Sequence, residues 1–315
     1  MLPSLVMLSD IHHEGGERSM AIFTGAGVAI ITPFKANLEI NYDKLDELLE
    51  EQITGGTDAI IICGTTGEAA TMTEEEHIEA IRFTVERVKG RIPVVAGTGS
   101  NNTLTAIHLS TAAEEVGADA LLVVTPYYNK ATQKGLIAYF TAIANEVKIP
   151  SIMYNIPGRS GVTMQPATVA HLVQNVENIV GMKEASGDIG HVAQMMNLCD
   201  GKVDLYSGND DQVVPLLSLG GVGVISVLSN MDPRYMHEMV MKYLTGDIEG
   251  SRKMQLAAVP LCNALFCEVN PIPIKAAMNL LGKEVGSLRP PLTTMEPQNK
   301  MALEKVLKEM GYRNL

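Results

Sequence analysis

The sequence predicts an α/β fold: a closed (β/α)8 TIM barrel carrying a carboxy-terminal helical appendage. Three observations carry that prediction. Short β-branched runs alternate with longer amphipathic ones from Gly27 onward, eight times in all. The eight units fit within residues 20–246, the length of one barrel rather than of two ordinary domains. Residues 247–315 are helical in pattern with no further strand. At 315 residues, 46% of them hydrophobic, the chain can bury a core of that size.

The first strand is expected over residues 28–32, stopped by Pro33, with a helix from Tyr42 through Leu45, Leu48, Leu49 and Ile53 to the Gly55-Gly56 stop. Residues 59–63 form the second strand and open into Gly64-Thr65-Thr66-Gly67-Glu68. Thr73-Glu74-Glu75-Glu76 reads as a capping box for a helix ending near Gly90. Strands at 93–96 and 120–124 follow, with helices at 103–116 and 133–147. The fifth strand, 151–154, runs into Asn155-Ile156-Pro157-Gly158-Arg159-Ser160-Gly161, and the sixth begins at Ile179 and closes on Lys183. Strands at 203–208 and 222–226 complete the set, and Pro233 to Leu244 is the eighth helix. Pro271 and Pro273 divide the appendage into several helices. Residues 1–19 lack regular patterning and are expected to be a disordered extension.

A net charge of −12 argues against nucleic acid and anionic membrane as partners, while leaving small anionic substrates open to a local arginine. The longest apolar runs fall short of a membrane span, and no signal peptide is evident, so a cytoplasmic protein is expected. Four cysteines without a CxxC pair suggest free thiols in a reducing compartment. The seven histidines show no metal-ligand spacing, so neither a metal nor a cofactor is expected.

Chemistry concentrates at strand ends, which in a barrel share one face. Lys183 stands where a buried strand stops, followed at once by the Ser186-Gly187-Asp188 helix start. An ammonium partly out of water has a lowered pKa and a larger neutral fraction able to attack a carbonyl, which makes Lys183 a Schiff-base candidate. By itself such a lysine more often merely snorkels from a strand end into solvent. The Gly-Thr-Thr-Gly turn offers backbone N–H groups and two hydroxyls to a carboxylate, although such turns are common. Tyr154 can act as general acid and base if neighbouring hydroxyls relay its proton. Tyr127-Tyr128 offers one such neighbour, and Arg159 suits bidentate recognition of a substrate carboxylate.

These motifs, together with Gly181-Met182-Lys183-Glu184-Ala185-Ser186-Gly187-Asp188 and Gly223-Val224-Ile225-Ser226, closely resemble the 4-hydroxy-tetrahydrodipicolinate synthase family. That family belongs to the pyruvate-dependent class I aldolase, or N-acetylneuraminate lyase, superfamily. The likeness runs from about Phe23 to the carboxy terminus. It implies that Lys183 forms an imine with pyruvate and that the derived enamine attacks L-aspartate 4-semialdehyde. Tyr154 would move the proton, with Thr65 and with Tyr128 from a neighbouring subunit completing its relay. Thr66 would hold the pyruvate carboxylate, Ile225 and Gly208 would line the pocket, and Arg159 would bind the aldehyde's carboxylate. A homotetramer built from dimers is implied as well.

Two alternatives stay open: a pyruvate-releasing sugar-acid aldolase, which shares the lysine and tyrosine but typically lacks the arginine, and a non-catalytic keto-acid-binding barrel. Positions resembling the lysine-effector site of inhibited members are Ala69, Ala70, Glu74, His77, Asn101, Thr105 and Tyr127. His77, Asn101 and Tyr127 match, but Thr105 replaces a carboxylate and Glu74 a histidine. Loss of a charge-assisted hydrogen bond costs on the order of 1.5–3 kcal/mol, so weak or absent lysine inhibition is expected.

Overall fold

The computed structural model describes residues 21–312, so the expected extension at residues 1–19 lies outside the described residues. Eight parallel strands close into a barrel in sequence order. They are β1 (Gly25–Ala29), β2 (Ala59–Ile62), β3 (Val94–Gly97), β4 (Ala120–Val124), β5 (Ser151–Asn155), β6 (Ile179–Glu184), β7 (Asp204–Ser207) and β8 (Gly223–Ser226). Pairing of β1 with β8, Gly25 opposite Gly223, closes the ring.

Alternation along each strand sorts the side chains into two cores. Ala29, Ile61, Val95, Leu122, Ile152, Tyr154, Tyr206 and Ile225 fill the barrel interior. Val28, Ile60, Leu121, Met153, Met182 and Val224 face outward against the helices. Strands buried on both faces read as continuous apolar runs, which is why they were visible in the sequence.

The helices are α1 (Tyr42–Thr54), α2 (Glu74–Val88), α3 (Thr103–Glu115), α4 (Gln133–Glu146), α5 (Pro157–Ser160), α6 (Pro166–Asn175), α7 (Ile189–Cys199), α8 (Val213–Ser218), α9 (Pro233–Leu244), α10 (Ile248–Leu265), α11 (Ile272–Leu280) and α12 (Pro297–Glu309). Seven of these twelve starts carry side-chain caps on otherwise unpaired N–H groups. Asn41 accepts from the Lys44 N–H, Asp188 from His191 and Asp232 from Tyr235. Thr73 and Glu76 form the reciprocal capping box expected for α2. The appendage is three helices, with α10 packed on α9 and α12. The prolines do divide it: Pro271 precedes α11 and Pro273 lies in its first turn, where the missing N–H costs nothing.

Two differences from the sequence reading have physical causes. β1 lies three residues earlier than expected, because glycines that look like strand breakers suit a crowded barrel wall. A Cβ on Gly27 would come within 2.6 Å of Ile61 Cδ1 and 2.8 Å of Phe23 Cζ. After β5 there are two helices instead of one: the short α5, which carries Arg159, precedes α6. Among the described residues, no helix is long and apolar enough to cross a membrane.

Candidate active site

β5 and β6 pair so that Tyr154 lies beside Lys183. Their neighbours Met153 and Met182 pack outward, so period-two alternation turns both functional side chains into the barrel mouth. Lys183 Nζ stands 4.3 Å from the centroid of the Tyr154 ring, and each residue is only 6% exposed. Burial pulls the Lys183 pKa down to about 7; the Asp210 carboxylate opposes the shift and Arg159 adds to it. Burial pushes the Tyr154 phenol up to about 12, opposed by the Arg159 charge and by a hydrogen bond with the Thr65 side chain. The pair therefore offers a nucleophilic amine and a phenol that keeps its proton at neutral pH.

Thr65 and Thr66 come from the turn after β2. Its Gly67 and Glu68 N–H groups donate back to the Gly64 and Thr65 carbonyls at 3.1 Å, and the Thr32 hydroxyl pins the Gly67 carbonyl at 2.7 Å. The Thr66 hydroxyl accepts from Asn270 Nδ2 at 3.0 Å, and Arg159 Nη2 donates to the Asn270 carbonyl at 2.8 Å. Ile225, 1% exposed, belongs to the interior layer. Gly208 leaves room for the lysine: a Cβ there would lie 3.2 Å from Lys183 Cε and 2.7 Å from Ala185 Cβ.

Thr65, Tyr154, Arg159 and Asn270 line a cavity of about 510 Å³. Of the sequence-derived residues, Thr65, Tyr154 and Arg159 line that cavity, and Lys183, Gly208, Ile225 and Thr66 adjoin them through the contacts just described. Tyr128 does not join them in its own chain. It is 89% exposed, has a left-handed backbone (φ 73°), and is not part of the cavity lining.

The effector-like positions share this cavity, with one exception. His77, Glu74, Thr105 and Tyr127 line it, whereas Asn101 does not. His77 is 6% exposed with Nε2 at 2.7 Å from the Gly97 carbonyl, and burial lowers its pKa. The Asn101 carbonyl accepts from Asn129 Nδ2 at 2.8 Å. Among the described residues, no group of three or more His, Cys, Asp or Glu could hold a metal ion.

Two residues escaped the sequence reading. Asp210, 2% exposed, follows β7 and accepts N–H bonds from Val227 and Leu228 at 3.1 and 2.9 Å. Burial raises its pKa, while the Ser226 side chain, those N–H groups and Lys183 lower it. Its signal was available, because Ser207-Gly208-Asn209-Asp210 is one more polar stretch at a strand end. Asn270 had no such signal: it lies 204 residues from Thr66 in a proline-rich run.

A model of the Dihydrodipicolinate synthetase family matches residues 22–310. A 4-hydroxy-tetrahydrodipicolinate synthase of Lachnoclostridium phytofermentans is 60% identical over 292 residues, which cover 93% of this chain and 99% of that protein. The crystal structure of dihydrodipicolinate synthase from Aquifex aeolicus superposes with a TM-score of 0.90 at 44% identity, covering 92% of this chain and 99% of that one. The chloride-inhibited dihydrodipicolinate synthase of Acinetobacter baumannii, complexed with pyruvate, superposes at 0.89 with 40% identity over 92% of this chain and 99% of that one.

Proposed function

The chain belongs to the dihydrodipicolinate synthetase family, and from that premise we propose how its residues divide the work of the reaction. The protein is a lyase that condenses pyruvate with L-aspartate 4-semialdehyde to give 4-hydroxy-tetrahydrodipicolinate, a step of lysine biosynthesis through diaminopimelate. The observation that carries the division of labour is the contact of Lys183 Nζ with the Tyr154 ring at 4.3 Å, with the lysine pKa near 7.

Neutral Lys183 attacks the pyruvate keto carbon, and the carbinolamine loses water to give an imine. Loss of a proton from the methyl carbon gives the enamine, which forms the new carbon–carbon bond to the aldehyde. The aldehyde oxygen takes up a proton and becomes the product hydroxyl. Attack by the substrate's own amine on the imine carbon then closes the ring and frees Lys183. Tyr154 gives and takes protons at the carbinolamine and at the new hydroxyl, passing them through Thr65. Thr66 and the N–H groups of its turn bind the pyruvate carboxylate, with Ile225 and Gly208 shaping that pocket. Arg159, already at the cavity wall, binds the aldehyde's carboxylate as a fork.

Tyr128 completes the relay of a neighbouring subunit, and the working unit is a homotetramer built from dimers. Its 89% exposure and left-handed backbone support that reading: a large aromatic held outward in a strained conformation suits a partner's pocket. The unbridged cysteines, three of them buried, favour a reducing compartment, which we take to be the cytoplasm. The experiment is borohydride reduction in the presence of pyruvate followed by peptide mass analysis. The reduced pyruvyl adduct is expected on the peptide carrying Lys183, and an adduct elsewhere, or none, contradicts the assignment.

A further inference from the structure

Glu68 ends the turn that presents Thr65 and Thr66, and it is held in an unusual way. Its backbone is left-handed (φ 57°, ψ 32°), a conformation disfavoured for a residue with a side chain, so something must hold it there. Its carboxylate is buried, with the residue 3% exposed. Both of its named partners come from the far end of the chain. Lys275 Nζ, on α11, lies 2.6 Å from Glu68 Oε1, and the Arg289 N–H donates to Oε2 at 3.0 Å. Lys275 is 1% exposed; its ammonium also donates to the Ser287 carbonyl at 2.9 Å and sits 4.1 Å from the centre of the Phe34 ring.

A wholly buried ion pair is a weak source of stability, since desolvation of both charges offsets their attraction; what it supplies is a fixed geometry. Here the fixed geometry is that of the carboxylate-binding turn. A second grip lies two residues earlier, where Asn270 Nδ2 donates to the Thr66 hydroxyl at 3.0 Å and the Asn270 carbonyl accepts from Arg159. Both carboxylate-binding elements are thus referred to one segment of the appendage. Lys275 does not line the cavity, whereas Glu68, which it contacts, does, so Glu68 connects Lys275 to the turn.

Resting on the reading in which Thr66 holds the pyruvate carboxylate, we propose that Asn270 and Lys275 are positioning residues of the reaction. They clamp the turn at residues 64–68 from the carboxy-terminal appendage and set the geometry in which pyruvate is bound.

The test uses the full-length protein and measures the pyruvate concentration that gives half-maximal borohydride trapping on Lys183. It compares the intact protein, Asn270→Ala, and the double variant Glu68→Gln/Lys275→Met, which leaves no unpaired buried charge. Circular dichroism and thermal melting first establish that each variant folds. The half-saturating concentration is expected to rise about tenfold or more in each, as when one hydrogen-bonded grip on a ligand site is lost, while maximal trapping persists. A merely structural role would lower the folded fraction without moving half-saturation. A folded variant of either kind that saturates at the intact protein's concentration overturns the clamp. If the double variant melts, a second neutral pair, Glu68→Gln/Lys275→Leu, takes its place, since Asn270 itself lines the cavity and its loss does not test Lys275. An intact protein that traps no pyruvate overturns the underlying reading, and the clamp with it.

Discussion

Lys183 and Tyr154 pack against each other yet titrate in opposite directions, because burial disfavours whichever form bears charge. For the lysine that is the protonated form, so its pKa falls to about 7; for the tyrosine it is the phenolate, so its pKa rises to about 12. A lysine at its ordinary pKa near 10.4 would be neutral in only about four molecules in ten thousand at pH 7, against roughly half here. The sign is fixed by the nucleophile's needs: below pH 7 the amine is protonated and inert. Initial rates of pyruvate imine trapping should therefore rise about tenfold per pH unit up to about pH 7 and then level off. A rate still climbing between pH 8 and 9 would contradict the buried-amine assignment. Replacing Tyr154 by Phe keeps the ring under the ammonium but removes the transferable proton. That variant should lose about 10²- to 10⁴-fold in kcat while still forming the imine slowly, as steady-state and trapping measurements would report. Lys183 could be found in the sequence because a charge closing an apolar strand is locally anomalous. Its titration could not, since that depends first on burial and then on Asp210 and Arg159, all of which reach it only through the closed barrel.

The strands carry the site because adjacent elements lock their ends together. Glu184, next to Lys183 but facing outward, accepts Asn155 Nδ2 at 2.9 Å and the Ser186 N–H at 2.7 Å. Asn155 in turn accepts the Met164 N–H at 3.0 Å, which ties down the segment after α5. Glu184→Ala would leave the wholly buried Asn155 amide without that acceptor and should cost about 1–3 kcal/mol in urea unfolding. A change within error would show that the lock carries no stability. Elements were the most legible scale. Eight strands and the capped helices could be read locally, because apolar runs, Pro33, the Thr73 capping box and Asp188 act within a few residues of themselves. What stayed hidden acts across the fold. Gly27 belongs to β1 because Ile61 and Phe23 pack where its side chain would go, and Asn270, which the sequence reading did not single out, reaches Thr66 across the fold.

At the scale of the whole molecule, the barrel mouth, the appendage and the effector-like wall share one cavity. That wall carries Thr105, at the position where the family resemblance leads one to expect a carboxylate, and Glu74, whose Oε2 lies 3.7 Å from His108 Nε2. L-lysine should therefore inhibit weakly or not at all, and an inhibition constant in the range of the sensitive enzymes would contradict that reading. The overall charge of −12 does not bar two carboxylate substrates, because in the proposed division of labour Arg159 and the turn at 64–68 would meet them at contact distance, where the distant field is screened. The most direct measurement supplies the purified protein with pyruvate and L-aspartate 4-semialdehyde, follows product through a coupled reductase, and runs Lys183→Ala alongside. Turnover by the intact protein that vanishes in the variant is the expected result. No turnover by the intact protein, or turnover that survives the loss of Lys183, would contradict the Schiff-base mechanism at its root.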